Sequence, residues 1–293
     1  MGPTVPERDG YPAGVPCWVD TAQPDPAAAA RFYEGLFGWT CTDRMPPGMP
    51  GHYFMAQLRG RDVAAIGSMP PGMPPTPAWM TYIAVDSADR TADAVRAAGG
   101  TVLQEAFDIF DAGRMAMFAD TEGAVFAVWQ AGLHRGSGLV NEPGTVVFNG
   151  LKCRDPEAAR AFYGAVFGWE ADLAGGFGMW RLPGYGDHLE QRDPGLRRRL
   201  ADAGAPPGYE DVVATLAPMG DRYPQGTPPH WDVTFAVDDA DATAARAAEL
   251  GGTVVVPPFD APWVRMTVLR DPQGAVFIAS RYVPENASLG AGR

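Results

Sequence analysis

Lys152 is the single lysine among 23 basic residues in 293. Strand alternation places it on one face with Phe148 and Gly150. Removed from water, such an amine could act as a base, form a Schiff base, or pair with an anionic substrate. The alternative is an exposed or edge-strand lysine. Asp20 shares a face with Trp18 and Ala22; burial would raise its pKa and suit it to orient a ligand hydroxyl or act as a general base. A solvated strand carboxylate is the plainer reading. Between Pro183 and Pro207 lie Tyr185 and His188, which supply an acid or base if that stretch covers a pocket, and Tyr209 follows. His52 and His134 read as surface residues. No Ser–His–Asp or Cys–His set, GxGxxG or Walker spacing can be assembled, so no cofactor is expected.

These residues sit on a duplicated frame. Asp25-Pro26, Phe32-Tyr33 and Phe37-Gly38-Trp39 return as Asp155-Pro156, Phe162-Tyr163 and Phe167-Gly168-Trp169. Ala84-Val85-Asp86 through Gly99-Gly100-Thr101-Val102 returns as Ala236-Val237-Asp238 through Gly251-Gly252-Thr253-Val254. Repeats of this size are duplicated domains rather than solenoid units. Within each copy a strand ends at an Asp and a helix follows, capped by Asp25 or Asp155 with Pro at N1 and stopped at Gly38, Gly99, Gly168 and Gly251. Short strands then run between Gly- and Pro-rich turns. Met45–Pro50 recurs as Met69–Pro74, too proline-rich for a central strand or a helix interior, hence a loop or a flexible lid. Each half-copy reads β-α-β-β-β, and four fill the chain, giving an α+β fold. The domains are placed at 14–131 and 145–283, with a linker at 132–144 and a tail at 284–293. The second copy carries an insertion at 183–207, with a turn at 184–188, a basic helix over 189–200 and a strand over 212–216.

With 46% hydrophobic and 20% charged residues, the chain has the balance of a soluble globular protein. Its net charge of −12 opposes binding to nucleic acid or anionic lipid. No apolar run approaches a membrane span and Met1–Gly14 has no signal-like core, so a cytoplasmic protein is expected. Three cysteines without CxxC spacing argue against a disulfide framework or zinc knuckle.

The FYxxxFGW segments and the Val-Asp, helix, Gly-Gly, strand segments resemble the vicinal-oxygen-chelate superfamily of glyoxalases, bleomycin-resistance proteins and dioxygenases. They are most like its actinobacterial tandem branch, often labelled glyoxalase-like or hydroxylase. The resemblance implies two tandem domains, each of two βαβββ modules curving into an incomplete barrel around a cavity. It also implies metal ligands seven residues before each strand-ending Asp and four after the closing-strand Gly. Counted from Asp25, Asp86, Asp155 and Asp238, the first slots hold Trp18, Trp79, Phe148 and Trp231; the second hold Ala127 and Ile278. None of the six binds a divalent cation, so no metal is expected. His230 lies one residue from a slot, and so on the opposite face. Trp18, Trp79 with Thr81, Phe148, and Trp231 with Val233 would then line cavities for a flat organic molecule, or simply fill the barrels as core. The expected function is metal-independent binding, with possible hydroxylase-, isomerase-, cyclase- or lyase-like conversion, of a small aromatic or polyketide-like molecule in specialised metabolism. The protein would be a monomer or homodimer. The alternatives are a non-catalytic sequestering resistance protein, a structural protein with solid barrels, and a metal-dependent glyoxalase or dioxygenase. Lys152 in the second cavity is expected to matter more than Asp20 in the first.

Overall fold

The computed structural model describes residues 7–70, 72, 76–174, 177–220 and 223–290. Module one runs β1 (Pro16–Gln23), α1 (Pro26–Phe37), β2 (Thr40–Asp43), β3 (Tyr53–Leu58) and β4 (Arg61–Ser68). Module two runs β5 (Trp79–Ala84), α2 (Ala88–Ala97), β6 (Thr101–Ile109), β7 (Gly113–Ala119) and β8 (Val125–Ala131). Module three has β9 (Val146–Cys153), α3 (Pro156–Phe167), β10 (Glu170–Ala174) and β11 (Phe177–Arg181). Two inserted helices follow, α4 (Tyr185–Arg192) and α5 (Leu196–Asp202), before β12 (Val212–Pro218). The basic helix expected over 189–200 is therefore two helices, broken at Asp193-Pro194-Gly195, where proline and a left-handed glycine interrupt the turn. Module four is β13 (His230–Ala236), α6 (Ala240–Glu249), β14 (Thr253–Ala261), β15 (Val264–Arg270) and β16 (Val276–Tyr282).

Helix starts follow local chemistry. The Asp25 carboxylate accepts the Ala28 N–H, Asp155 accepts those of Glu157 and Ala158, and Pro occupies N1 of α1 and α3. In modules two and four the caps are Ser87 and Asp239, one residue beyond the Asp86 and Asp238 of the sequence reading. That single step sets which side chains face inward.

Each copy forms an eight-stranded sheet, ordered β2-β3-β4-β1-β5-β8-β7-β6 and β10-β11-β12-β9-β13-β16-β15-β14. At each centre the two modules meet antiparallel, β1 on β5 and β9 on β13, and every opening strand runs parallel to its module's closing strand. Neither sheet closes, so each is an incomplete barrel.

The barrels stand back to back, with helix-side residues of modules one and four in one buried cluster and those of modules two and three in another. Between the central strands the Thr81 hydroxyl donates to the Asn149 side-chain oxygen at 2.8 Å. Two matched relays cross the junction. Trp79 Nε1 donates to the Tyr33 hydroxyl at 3.0 Å, and that hydroxyl donates to Asp271 Oδ2 at 3.0 Å. Trp231 Nε1 donates to Tyr163 at 2.9 Å, and Tyr163 donates to Asp120 Oδ2 at 3.0 Å. A buried aromatic ring contributes roughly 1.5–3 kcal/mol and a hydrogen bond about 1 net. Ring burial therefore supplies most of the stabilisation, while the relays fix which ring meets which. Trp39 likewise donates to the Gly144 carbonyl at the end of the connecting segment, and Trp169 to the Gly14 carbonyl of the first copy. The FYxxxFGW repeat is thus largely the seal between the domains.

Met45–Pro50 forms an exposed turn between β2 and β3. Of its copy, Pro71, Met73 and Pro74 lie outside the described residues, as do Met1–Pro6 of the N-terminal segment and residues 291–293 of the tail. No described helix is long and apolar enough to cross a membrane.

Candidate functional site

The inner face of the first barrel, away from the helices, gathers Trp18, Ala65, Tyr82, Ala127 and Trp129, with Tyr53, Met55, Met80, Met115 and Met117 partly exposed against them. Strand pairing explains the set. Asp20 lies opposite Met80 and Trp18 opposite Tyr82, while Met115 and Met117 face Trp129 and Ala127. Asp20 is half-buried on this face. Its Oδ2 accepts the hydroxyls of Tyr53 at 3.1 Å and Tyr82 at 3.0 Å, and Tyr53 also accepts Trp18 Nε1 at 3.3 Å. Burial pushes the Asp20 carboxyl up to about 6, with the two hydroxyl bonds only partly opposing it. Burial, with the Asp20 charge, holds both tyrosines well above their ordinary value, so they stay protonated donors. Among the described residues no basic side chain pairs with Asp20. Among the described residues none donates a hydrogen bond to Oδ1, which leaves it available to accept a proton.

The second barrel is built differently. Lys152 Nζ lies 2.9 Å from Asp232 Oδ2, with side-chain exposures of 14% and 13%. Gly150 faces Asp232 across the strands, and a Cβ there would fall 2.5 Å from Asp232 Oδ1 and 2.7 Å from Thr215 Oγ1. Glycine is what lets the carboxylate lie flat against β9. Each barrel thus holds one carboxylate in this cross-strand pair, from the opening strand in the first and the facing strand in the second. Burial pulls the Lys152 ammonium down, but the Asp232 charge and hydrogen bond outweigh it and its pKa is raised. The lowered-pKa reading of Lys152 is therefore corrected: the carboxylate beside it keeps it charged and occupied.

Several expected lining residues face the other way. Trp79 and Thr81, and Trp231 and Val233, point to the helix side, into the relays and the domain junction. The cause is the later cap: counted from Ser87 and Asp239, the inward residues are Met80 and Asp232. His230, expected on the outer face, shares the inner one with Asp232 and pairs across to Lys152. Trp18 and Phe148 keep their inner-face positions. In the insertion, His188 stacks on Tyr185 at 6.2 Å, Tyr185 is half-buried near Arg8, and Arg192 pairs with Asp9 at 3.0 Å. Tyr209 lies by Tyr282. None of Tyr185, His188 or Tyr209 makes a hydrogen bond or ion pair with Lys152, whose ammonium is held by Asp232.

Sequence reasoning missed Tyr53, Tyr82, Asp232 and His134. Tyr82 and Asp232 followed from the helix caps; Tyr53 needed the pairing of β3 with β4. His134, taken for a surface residue, is 16% exposed and packs edge-on to Trp18 with ring centres 4.4 Å apart.

The corrected slots hold Trp18, Met80 and Ala127 in the first barrel and Phe148, Asp232 and Ile278 in the second. Asp232 alone is an oxygen donor, and Lys152 holds it. Among the described residues no group of three or more His, Cys, Asp or Glu could grip an ion. A divalent site of the usual three-ligand kind does not fit this donor set.

The model of the glyoxalase/bleomycin resistance protein/dioxygenase superfamily matches residues 18–128, and that of a glyoxalase-like domain matches 145–279. The chain is 44% identical to the "Putative glyoxylase CFP32" of Mycobacterium bovis, over 96% of this chain and 100% of that protein. It is 36% identical to the anthracycline biosynthesis protein DauV of a Streptomyces species, over 91% and 93%. Its fold is similar to the Mn(II)-bound glyoxalase of Novosphingobium aromaticivorans, with TM-score 0.58 and 16% identity over 92% of this chain and 82% of that one. The 2,3-dioxygenase LapB of a Pseudomonas species has TM-score 0.58 and 11% identity over 92% and 93%. Duplicated βαβββ modules, two incomplete barrels and full-length relatives agree: the chain belongs to the glyoxalase/bleomycin resistance protein/dioxygenase superfamily, as a tandem of two glyoxalase-like domains.

Proposed function

We propose that the first barrel binds a flat hydroxylated aromatic molecule of the polyketide type, without a metal, and that Asp20 is its proton acceptor. The observation that carries this reading is the Asp20 carboxylate, poised near 6, held on one oxygen by two tyrosine hydroxyls and open on the other. At pH 7 it is ionised, so Oδ1 can accept a phenolic or enolic O–H, or take a proton from carbon beside a carbonyl. Four partly exposed methionines from β3, β5 and β7 offer adaptable, polarisable walls, backed by the buried rings of Trp18 and Trp129. Kinship to anthracycline biosynthesis proteins supports a role in specialised metabolism, because anthracyclines are hydroxylated polycyclic quinones.

The reaction class best matched is proton transfer, as in isomerisation of an unsaturated ketone. A carbon proton passes to Asp20 Oδ1, the electron pair moves into the carbonyl to leave an enolate, and the proton returns at another carbon. The charged Lys152–Asp232 pair supplies no free base, which makes the second barrel the weaker candidate. Sequestration without turnover is the rival, since a site of this kind can hold its ligand unchanged. Absorbance titration of chelator-treated protein with a monohydroxyanthraquinone tests the reading. Binding that Asp20→Asn weakens about tenfold, the worth of one charge-assisted hydrogen bond, is expected. Equal binding by both forms would refute it. A spectral shift with no new product from a polyketide substrate would favour the sequestering protein.

A further inference from the structure

The segment joining the domains does more than connect them. From the β6–β7 turn, where the Gly132 and His134 N–H groups donate to the Ala112 carbonyl, it crosses to β1 and β4. There the Ser137 N–H meets the Cys17 carbonyl at 2.8 Å and the Gly138 N–H meets that of Asp62 at 2.7 Å. It lies so close that a Cβ on Gly136, at φ +97°, would fall 2.5 Å from the Cys17 carbonyl oxygen. This strap, tied at both ends, presses His134 against the inner-face rings of Trp18 and Trp129, the latter with ring centres 5.8 Å away.

His134 Nε2 is buried and, among the described residues, has no hydrogen-bond partner. A buried polar atom left without a partner is costly unless something else satisfies it. Its Nδ1 faces Asp62 Oδ2 at 3.9 Å, and Asp62 is itself held by the Gln57 amide at 2.7 Å. A carboxylate on that side favours the proton on Nδ1, which leaves Nε2 as an acceptor. Burial lowers the imidazole pKa, so the ring is neutral near pH 7. Asp20 and His134 are then two acceptors that both neighbour the Trp18 indole, His134 edge-on against the ring and Asp20 through the Tyr53 hydroxyl that takes Trp18 Nε1, with Asp20 about 7 Å along β1 from Trp18.

We propose that His134 is a second ligand-contacting residue of the first barrel, and that the site selects aromatics carrying two separated hydroxyl groups, one for Asp20 and one for His134 Nε2. This rests on the reading of the first barrel given above. Because Nε2 is buried, the second hydroxyl reaches it only if the side chains around the strap shift locally on binding.

The test compares a monohydroxyanthraquinone with a dihydroxyanthraquinone bearing one hydroxyl on each outer ring, titrated against the full chain by tryptophan fluorescence. The wild type should bind the dihydroxy probe about tenfold more tightly, the worth of one good hydrogen bond. His134→Phe should erase that preference, weakening the dihydroxy probe about tenfold more than the monohydroxy one, whereas His134→Gln, whose amide oxygen can accept, should restore part of it. Asp20→Asn should weaken both probes alike. If His134→Phe weakens both probes equally, or neither, while Asp20→Asn still weakens both, the role of His134 is overturned and the site reading stands. If neither probe binds the wild type, or Asp20→Asn changes nothing, the site reading falls and this inference with it. Circular dichroism of each variant separates loss of contact from loss of fold.

Discussion

Replacing Asp20 with Asn should make the chain more stable at pH 8 and leave its stability unchanged at pH 4. The folded-state pKa of Asp20 is about 6, against an ordinary carboxyl near 3.8. A raised acid pKa means that the folded chain binds the proton more tightly than the unfolded chain, so its contribution is favourable below about pH 4. It is lost as pH rises from about 4 to 6, and above that the full cost of holding a buried charge remains. Two pKa units correspond to nearly 3 kcal/mol as a ceiling, at about 1.4 kcal/mol per unit. Asp20 is only half-buried, so screening by water reduces this to roughly 1–3 kcal/mol. Asparagine keeps an oxygen that can accept both tyrosine hydroxyls and carries no charge. The assay is a set of urea melts of wild type and variant from pH 4 to 8, read as the difference at each pH so that other carboxyls cancel. A gain that grows from near zero at pH 4 to a plateau above pH 6, accompanied by weaker probe binding, is expected. A pH-independent difference, or destabilisation at pH 8, would refute the argument that burial of the charge poises Asp20.

Three further substitutions test the rest of the site and its frame. Lys152→Met leaves the Asp232 carboxylate without its cation and should cost about 2–4 kcal/mol, while Lys152→Met with Asp232→Leu should recover most of it, both measured by denaturant melts. Gly150→Ala should cost about 1–3 kcal/mol through overpacking against Asp232, a loss that should shrink in the Asp232→Gly background. Tyr163→Phe removes the hydroxyl that joins Trp231 to Asp120 across the domain junction, and should cost about 1–3 kcal/mol with faster amide exchange along α3.

The fold was legible because its signals are local. Asp-Pro caps, glycine stops and the FYxxxFGW repeat each act within a few residues, and the duplication displayed each of them twice. The inner face was only half legible. In modules one and three the strand-ending Asp is itself the cap, and Trp18, Asp20, Phe148 and Lys152 fell on the expected side. In modules two and four the cap is one residue later, and since strand side chains alternate, that one-residue error sent Trp79, Thr81, Trp231 and Val233 to the opposite face. It also hid the partner of Lys152, because Asp232 was counted as outward-facing. His134 could not have been found from periodicity, since it lies on a connecting segment whose path is set by hydrogen bonds to β1, β4 and the β6–β7 turn.

The central claim, that the first barrel holds a ligand on Asp20 without a metal, is tested most directly by carbon-13 NMR of the Asp20 carboxyl in metal-stripped protein. The resonance is titrated with pH in the absence and presence of a monohydroxyanthraquinone. A free-state midpoint near 6 and a displaced Asp20 titration once the probe is bound, with no divalent cation added, are expected. A midpoint near that of an ordinary carboxyl, or a titration unmoved by a probe that binds, or binding that appears only when a divalent metal is restored, would contradict it.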